Sequence, residues 1–335
     1  MRLVQFREAG GGNAVAAVDG NSLRKLKEVT SVHELALTAL AERGGLNAAA
    51  ERRLSEHVFD YTKVEREGRL LPPITLPDPS RLRVTGTGLT HIGSAQARDN
   101  MHVENHEQEA ASDGPQSDSM KMFKLGLAAG KPATGNIGAM PEWFYKGDGD
   151  CLVPSGAAIT MPAFALAAGE EPEIAGVYII DDKGAPWRIG FTLANDFSDH
   201  LTEEKNYMYI AHSKLRECPL GPELLVGDLP ADVRGESRLL RAGQVVWRGT
   251  FASGENNMSY SIANLEHHHF KYPAFRRPGD IHVHLFGCPV LSFAEGIHTQ
   301  AGDVFEIEVP AFGRPLRNTL AVDRGADHFM NVGVL

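Results

Sequence analysis

EPEIAGVYIIDDKGAPWRIGFTLANDFSDH, residues 171–200, is the stretch on which the fold turns. Two β-type runs, AGVYIID and WRIGFTLAN, lie in it with turn residues between them. Alternation along a strand puts Glu171 and Glu173 on one face, followed by Ala175 and Val177. Two carboxylates on a face that continues apolar repel each other and resist burial. A bound cation removes both problems, and hard oxygen ligands select Mg2+, Mn2+ or Ca2+ over zinc. The same spacing also fits a solvated acidic strand start after the loop AAGEE. Asp196 ends the second run, where strands often present ligands and catalytic groups; alone it reads equally as a turn aspartate.

Outward from this stretch, further β-type runs appear: LRVTGTGL (82–89), ELLVGD (223–228), SRLLRAGQVVWRG (237–249), DIHVHLFG (280–287) and DVFEIEVP (303–310). Two helices interrupt them, expected over 118–129 and 258–268. Many short strands with few helices predict an α+β fold whose catalytic domain, residues 81–335, is a mixed β-roll or β-sandwich. The first 80 residues predict a small N-terminal α/β domain. They open with MRLVQF, a Gly-rich turn and NAVAAVD, which reads as a hairpin. Ser31 and Glu34 have capping-box spacing before a Leu/Ala-rich helix that runs to Gly44 and Gly45. A second helix is expected from Leu46 to about His57, and LLPPITLPDPSRL (70–82) reads as an extended, proline-rich linker.

Composition narrows the function classes. The 335 residues are 42% hydrophobic and 23% charged, as in ordinary soluble globular proteins. A formal net charge of -10 disfavours binding to a phosphate backbone, so no nucleic-acid partner is expected. No stretch approaches a bilayer span and no signal core is visible, so neither a membrane partner nor secretion is expected. Cys151, Cys218 and Cys288, three in number and widely spaced, form neither a disulfide framework nor a zinc pattern. They read as small apolar residues in a reducing cytoplasm.

The ordered motifs EPE (171–173), GFTLANDFSDH (190–200), SKLRECPLGPELL (213–225), RRPGDIHVHLFG (276–287) and GDVFEIEVPAFGRPLRN (302–318) resemble those of the fumarylacetoacetate-hydrolase-like superfamily. The resemblance covers about residues 85–320. It implies that Glu171, Glu173 and Asp196 are metal carboxylates and that Lys214 is the active-site lysine. Within the superfamily, MPEWFYKG (140–147) resembles the branch that includes 2-keto-3-deoxy-arabinonate dehydratase, where Glu142 stands at the place of the catalytic glutamate. The hydrolase members carry a His-x-x-Glu dyad near the start of the catalytic domain. Here HIGSAQARDNMH puts Asp99 and His102 at those places, while His106 and Glu109 form a displaced version. LFGCPVLS (285–292) replaces the usual Thr-Gly-Thr-Pro. The polar stretch from Arg98 to Ser119 reads as a mobile lid, with Arg98, Asp99 and His102 near the substrate.

The resemblance implies a Mg2+-dependent lyase that dehydrates a 2-keto-3-deoxy sugar acid through a metal-stabilised enolate. Glu142 would assist the leaving hydroxyl, and Lys214 would act as base or enolate partner, its pKa lowered by the nearby metal. Alternatives are a hydrolase or decarboxylase of a dioxo acid, such as an acylpyruvate or oxaloacetate, and a non-catalytic sugar-acid binding protein. A homodimer or homotetramer is implied as well. Other motifs carry less. His282 and His284 share a strand face but lack the glutamate of a cupin-type site, and His267, His268 and His269 suit a helix end. GLAAGKP (126–132) is one residue short of a phosphate loop, and no G-x-S-x-G elbow occurs.

Overall fold

The structure is a computed structural model that describes residues 1–91 and 118–335. Arg98, Asp99, His102, His106 and Glu109, and all of the expected lid except its last two residues, lie outside the described residues. In chain order the first strands are β1 (Arg2–Arg7), β2 (Asn13–Asp19), β3 (Ser22–Leu26), β4 (Leu54–Asp60), β5 (Leu82–Gly86), β6 (Phe144–Asp148), β7 (Leu152–Pro154) and β8 (Ala158–Met161). They are followed by β9 (Pro172–Ile180), β10 (Pro186–Asn195), β11 (Cys218–Leu220), β12 (Leu224–Leu225), β13 (Val233–Arg241), β14 (Gln244–Ser253), β15 (Ile281–Leu285), β16 (Val304–Glu308) and β17 (Leu316–Val322). The helices are α1 (Val32–Glu42), α2 (Gly45–Glu51), α3 (Tyr61–Arg66), α4 (Asp118–Ala129), α5 (His200–Lys205), α6 (Ile210–Lys214) and α7 (Ile262–Phe270).

Among the described residues the strands form two mixed sheets, so the fold is α+β. The larger has the order β4-β3-β2-β1-β12-β10-β9-β15-β5-β6, with β11 on β10 and β7 beyond it. The smaller runs β14-β13-β16-β17-β8. The sheet is continuous across residue 80, because Leu3 of β1 pairs with Leu224 of β12. All nine residues of β9 are buried, which suits a central strand covered on both faces better than a half-solvated one. One apolar cluster unites Ala175, Val177, Val283 and Leu285 with α1 and α2. A second, with Ile174 and Phe191 from the large sheet, Phe286 just after β15, and Phe251, Ile307 and Leu316 from the small sheet, fills the space between the sheets. This second cluster makes the layered arrangement a sandwich.

Several local expectations are corrected. The helix expected to reach His57 stops at Glu51, and Leu54–Asp60 is instead β4, paired with β3. The open edge of β3 and the contact of Phe59 with Phe6, with centroids 5.0 Å apart, override the local helical pattern. The helix expected from Met258 begins at Ile262, because the Ser261 side chain caps it by accepting from the Asn264 N–H. SRLLRAGQVVWRG is two strands, turned at Ala242 and Gly243, which both have positive φ. The proline-rich segment is docked: Leu70 and Ile74 are buried, and Gln5 Nε2 donates to the Pro72 carbonyl at 2.6 Å. The three cysteines are free, two of them buried. No described helix is long and apolar enough to cross a membrane.

His282 and His284 do share one face of β15, against His269 of α7. His269 Nε2 lies 3.0 Å from His282 Nδ1, and His284 Nδ1 lies 2.8 Å from Thr85 Oγ1. Burial pulls His269 down to about 2 and His282 to about 3, and His284 lies well below the ordinary histidine value. The folded protein keeps these rings neutral while the unfolded chain binds protons below pH ~6.5. Their contribution to stability is therefore fully present above that pH and is lost as pH falls below it, at about 1.4 kcal/mol per pH unit for each ring. His284→Asn, which keeps an acceptor toward Thr85, is expected to make the stability loss between pH 7 and pH 5 shallower by one such increment in urea titrations. An unchanged slope would contradict this account.

Candidate metal centre and active site

The β9–β10 hairpin builds the site. Its register pairs Glu173 with Ala194 and Pro172 with Asn195, so Asp196 falls opposite Glu171. The Asp196 N–H donates to the Glu171 carbonyl at 2.9 Å, which continues the ladder by one rung. Directly opposite residues on one face bring their side chains together. Glu171, Glu173 and Asp196 are all buried, and one carboxylate oxygen from each lies within 4.8 Å of the others. Among the described residues this is the one convergent group of three or more metal-ligating side chains, and the β15 histidines are not part of it.

Backbone and amide groups fix the carboxylates. The Gly287 N–H donates to Glu173 Oε2 at 2.7 Å, and the Glu171 N–H donates to Asn195 Oδ1 at 3.0 Å. His200 Nε2 lies 2.9 Å from Glu171 Oε1. Two buried lysines complete the surroundings. Lys146 Nζ is 2.7 Å from Asp196 Oδ1 and donates to the Phe197 carbonyl. Lys214 Nζ contacts Glu171 Oε1, lies 2.9 Å from Asp196 Oδ2 and 3.5 Å from Glu203 Oε1, and donates to Ser198 Oγ at 2.8 Å.

The electrostatics show which carboxylate lacks a counter-charge. Burial works against the Glu171 carboxylate, but the Lys214 ammonium and the His200 hydrogen bond outweigh it and hold its pKa below the usual value. Glu173 behaves in the opposite way. Burial first, then the Asp196 and Glu171 charges, push its carboxyl well above the usual range. Burial also pulls Lys214 down, yet Asp196, Glu171 and Glu203 outweigh it and hold the ammonium well above the ordinary lysine value. Among these protein groups alone Lys214 is thus held as an ammonium. Three carboxylates face two ammonium groups, and Glu173 has only a neutral N–H donor. An oxygen-ligated divalent cation fits this set because it satisfies the one carboxylate that no lysine reaches.

Glu142 precedes β6 and alternates with Phe144 and Lys146, and all three are buried. Gly86 pairs with both Phe144 and Leu285, and Leu285 pairs with Ala175. Glu142, Gly88 and Gly287 each lie two residues beyond these paired positions, just outside β6, β5 and β15, while Glu173 lies inside β9. Gly88 and Gly287 are points of close approach rather than open space. A Cβ at Gly88 would overlap the Glu142 carboxylate, and one at Gly287 (φ 100°) would overlap the Thr90 hydroxyl. Glu142 also faces Tyr260, whose hydroxyl is pushed up to about 12 by burial and by the Glu142 charge.

The structure therefore brings Glu171, Glu173, Asp196 and Lys214 together and sets Glu142 against Gly88 and Tyr260. Sequence reasoning passed over Lys146, Ser198, His200 and Glu203. Lys146 was within reach, since it lies four residues after Glu142 and so on the same strand face. Glu203 and Ser198 carry no pattern that marks them before the α5–α6 turn is known.

No protein-family model and no curated protein sequence matches the chain. Solved structures do. The structure titled 2-keto-3-deoxy-D-arabinonate dehydratase complexed with magnesium and 2,5-dioxopentanoate is 18% identical over 97% of this chain and 100% of its own, with a TM-score of 0.69. The 5-carboxymethyl-2-hydroxymuconate delta-isomerase from Mycobacterium smegmatis is 20% identical over 96% of this chain and 100% of its own, with a TM-score of 0.58. The 2-hydroxyhepta-2,4-diene-1,7-dioate isomerase from Mycobacterium marinum is 17% identical over 96% of this chain and 98% of its own, with a TM-score of 0.56. The fold is that of the fumarylacetoacetate-hydrolase-like enzymes, as the motif order implied. Over 96–97% of its length it is similar in fold to both a dehydratase and isomerases.

The charge arrangement has a testable consequence. Asp196→Ala leaves two buried ammonium groups without their shared partner and is expected to cost about 3–5 kcal/mol of stability. Glu173→Gln relieves repulsion from Glu171 and Asp196 while retaining an acceptor for the Gly287 N–H. It is expected to raise the melting temperature in EDTA. Both variants are expected to lose Mn2+ binding, measured by titration calorimetry. A destabilised Glu173→Gln, or tight Mn2+ binding by either variant, would overturn this assignment.

Proposed function

We propose that the chain is a divalent-metal-dependent lyase that dehydrates a 2-keto-3-deoxy sugar acid. The observation that supports it best is the buried triad of Glu171, Glu173 and Asp196, one carboxylate oxygen from each within 4.8 Å of the others. A divalent cation held there would take the 2-oxo carboxylate end of a short acid. The structural likeness to a dehydratase solved with magnesium and 2,5-dioxopentanoate points the same way.

Glu171, Glu173 and Asp196 would hold Mg2+, or Mn2+ or Ca2+ in its place. Bound there, the cation supplies positive charge at the keto oxygen that favours loss of a proton from C3. Lys214, an ammonium beside the triad, adds a second positive charge and a directed N–H for the developing oxyanion. Glu142 is the proton-handling group: its carboxylate takes the C3 proton and returns it to the departing C4 hydroxyl. The C3–H and C4–O bonds break, a C3–C4 double bond forms, and water leaves. The buried setting of Glu142, enclosed by Gly88 and Tyr260, keeps bulk water from competing for the proton.

A turnover screen with Mg2+ across 2-keto-3-deoxy pentonates, hexonates and hexarates, with acylpyruvates and oxaloacetate as the other arm, tests this. Water loss from one of the deoxy acids is expected. Glu142→Gln is expected to lower kcat by about 10²–10⁴ while Mn2+ affinity stays unchanged. Turnover confined to oxaloacetate or an acylpyruvate would replace dehydration with decarboxylation or C–C cleavage. Tight metal and sugar-acid binding without turnover of any of them would identify a binding protein.

A further inference from the structure

Lys214 stands where the cation's charge must go. Two of the three triad carboxylates, Glu171 and Asp196, are already in contact with its ammonium group. A divalent cation on the same oxygens is a like charge at close range, in a buried site where charges are weakly screened. Lys146 is not free to relieve this, since it is anchored to the other oxygen of Asp196 and to the Phe197 carbonyl. The cation and Lys214 therefore compete for Glu171 and Asp196 unless the lysine has another acceptor.

The α5–α6 turn supplies one. Glu203 of α5 is buried, lies outside the triad, and has its Oε1 3.5 Å from Lys214 Nζ. That separation exceeds a hydrogen bond, but a small rotation of the lysine stem closes it. Glu203 is held for the purpose: the Ser213 hydroxyl donates to Oε1 at 2.7 Å, and Ser213 Oγ in turn accepts from the Asp199 N–H at 2.8 Å. Ser213 adjoins Lys214, so the group that fixes the acceptor and the group that needs it belong to one turn of α6. With Glu203 included, four carboxylates face two ammonium groups, and the excess is the charge of one divalent cation.

We propose that Lys214 is a resident counter-cation which the divalent metal pushes off Glu171 and Asp196, and that Glu203 is the positioning residue that receives it. Glu203 then sets metal affinity without touching the metal. The proposal rests on the triad being a metal site, and the experiment separates the two claims. Mn2+ affinity is measured by calorimetry, and by the electron paramagnetic resonance signal of free Mn2+, in the wild type, Glu203→Gln, Lys214→Met and the double variant. Gln retains an acceptor for Ser213, so the fold around it is preserved, which thermal melting checks.

Glu203→Gln is expected to weaken Mn2+ binding about tenfold, which corresponds to ~1.4 kcal/mol. Glu203→Asp, which keeps the charge, is expected to recover most of that loss. Lys214→Met removes the competitor and is expected to tighten binding, and adding Glu203→Gln to it is expected to change little. Lys214→Gln serves in the same way should the Met variant fail to fold. The same tenfold loss in the lysine-free background would mean that Glu203 attracts the metal directly, and would overturn the proposal. So would unchanged affinity in Glu203→Gln. Absence of Mn2+ binding by the wild type would remove the metal site itself, and this proposal with it.

Discussion

The mutual repulsion of Glu171, Glu173 and Asp196 is the constraint around which the surrounding structure is organised. Three carboxylates brought together away from water are strongly unfavourable unless cations and donors surround them. The chain meets this from four separate segments. Lys146 comes from β6, Lys214 from α6, His200 from the start of α5 and the Gly287 N–H from the end of β15. Each of these segments is held in turn by the large sheet or by the short helices that follow β10. The site is thus the point where distant parts of the sequence are tied together, and its geometry depends on all of them.

The compensation is uneven, and the unevenness carries the chemistry. Asp196 has a lysine on each oxygen, Glu171 has a lysine and a histidine, and Glu173 has one peptide N–H. A group that stability alone had shaped would not leave Glu173 so poorly matched. Such mismatches concentrate at functional sites, where the missing partner arrives with the ligand. The two glycines answer a different need, close packing, since side chains at Gly88 and Gly287 would overlap the Glu142 carboxylate and the Thr90 hydroxyl.

Much of this was legible in the sequence because it depended on short-range periodicity. A strand's two-residue repeat placed Glu171 beside Glu173, and the end of the next apolar run marked Asp196. The ordered motifs supplied Lys214 and Glu142. What escaped was decided by tertiary partners. The LSEHVFD segment became β4 because β3 needed a neighbour, and Ser261 moved the start of α7 by capping it. Glu203 was hidden because it meets Lys214 only through the way two short helices pack, which no local pattern encodes. The docking of the proline-rich segment through Gln5 is of the same kind.

The pairing of β1 with β12, and of β5 with β15, joins residues separated by most of the chain: Leu3 with Leu224 and Val84 with Val283. During synthesis the first hairpin emerges long before its partner strand exists, and β5 waits almost as long for β15. Until then their open edges are templates for pairing with other chains. Non-local pairing of this kind slows folding, because loop closure must precede any compensating contact. A nascent chain arrested before Leu285 would carry β9, β10 and the triad, but neither a complete β15 to pair with β9 and β5 nor the Gly287 N–H. The site is therefore completed only once Gly287 has been made, and crowded expression should favour aggregates seeded by β1 and β5.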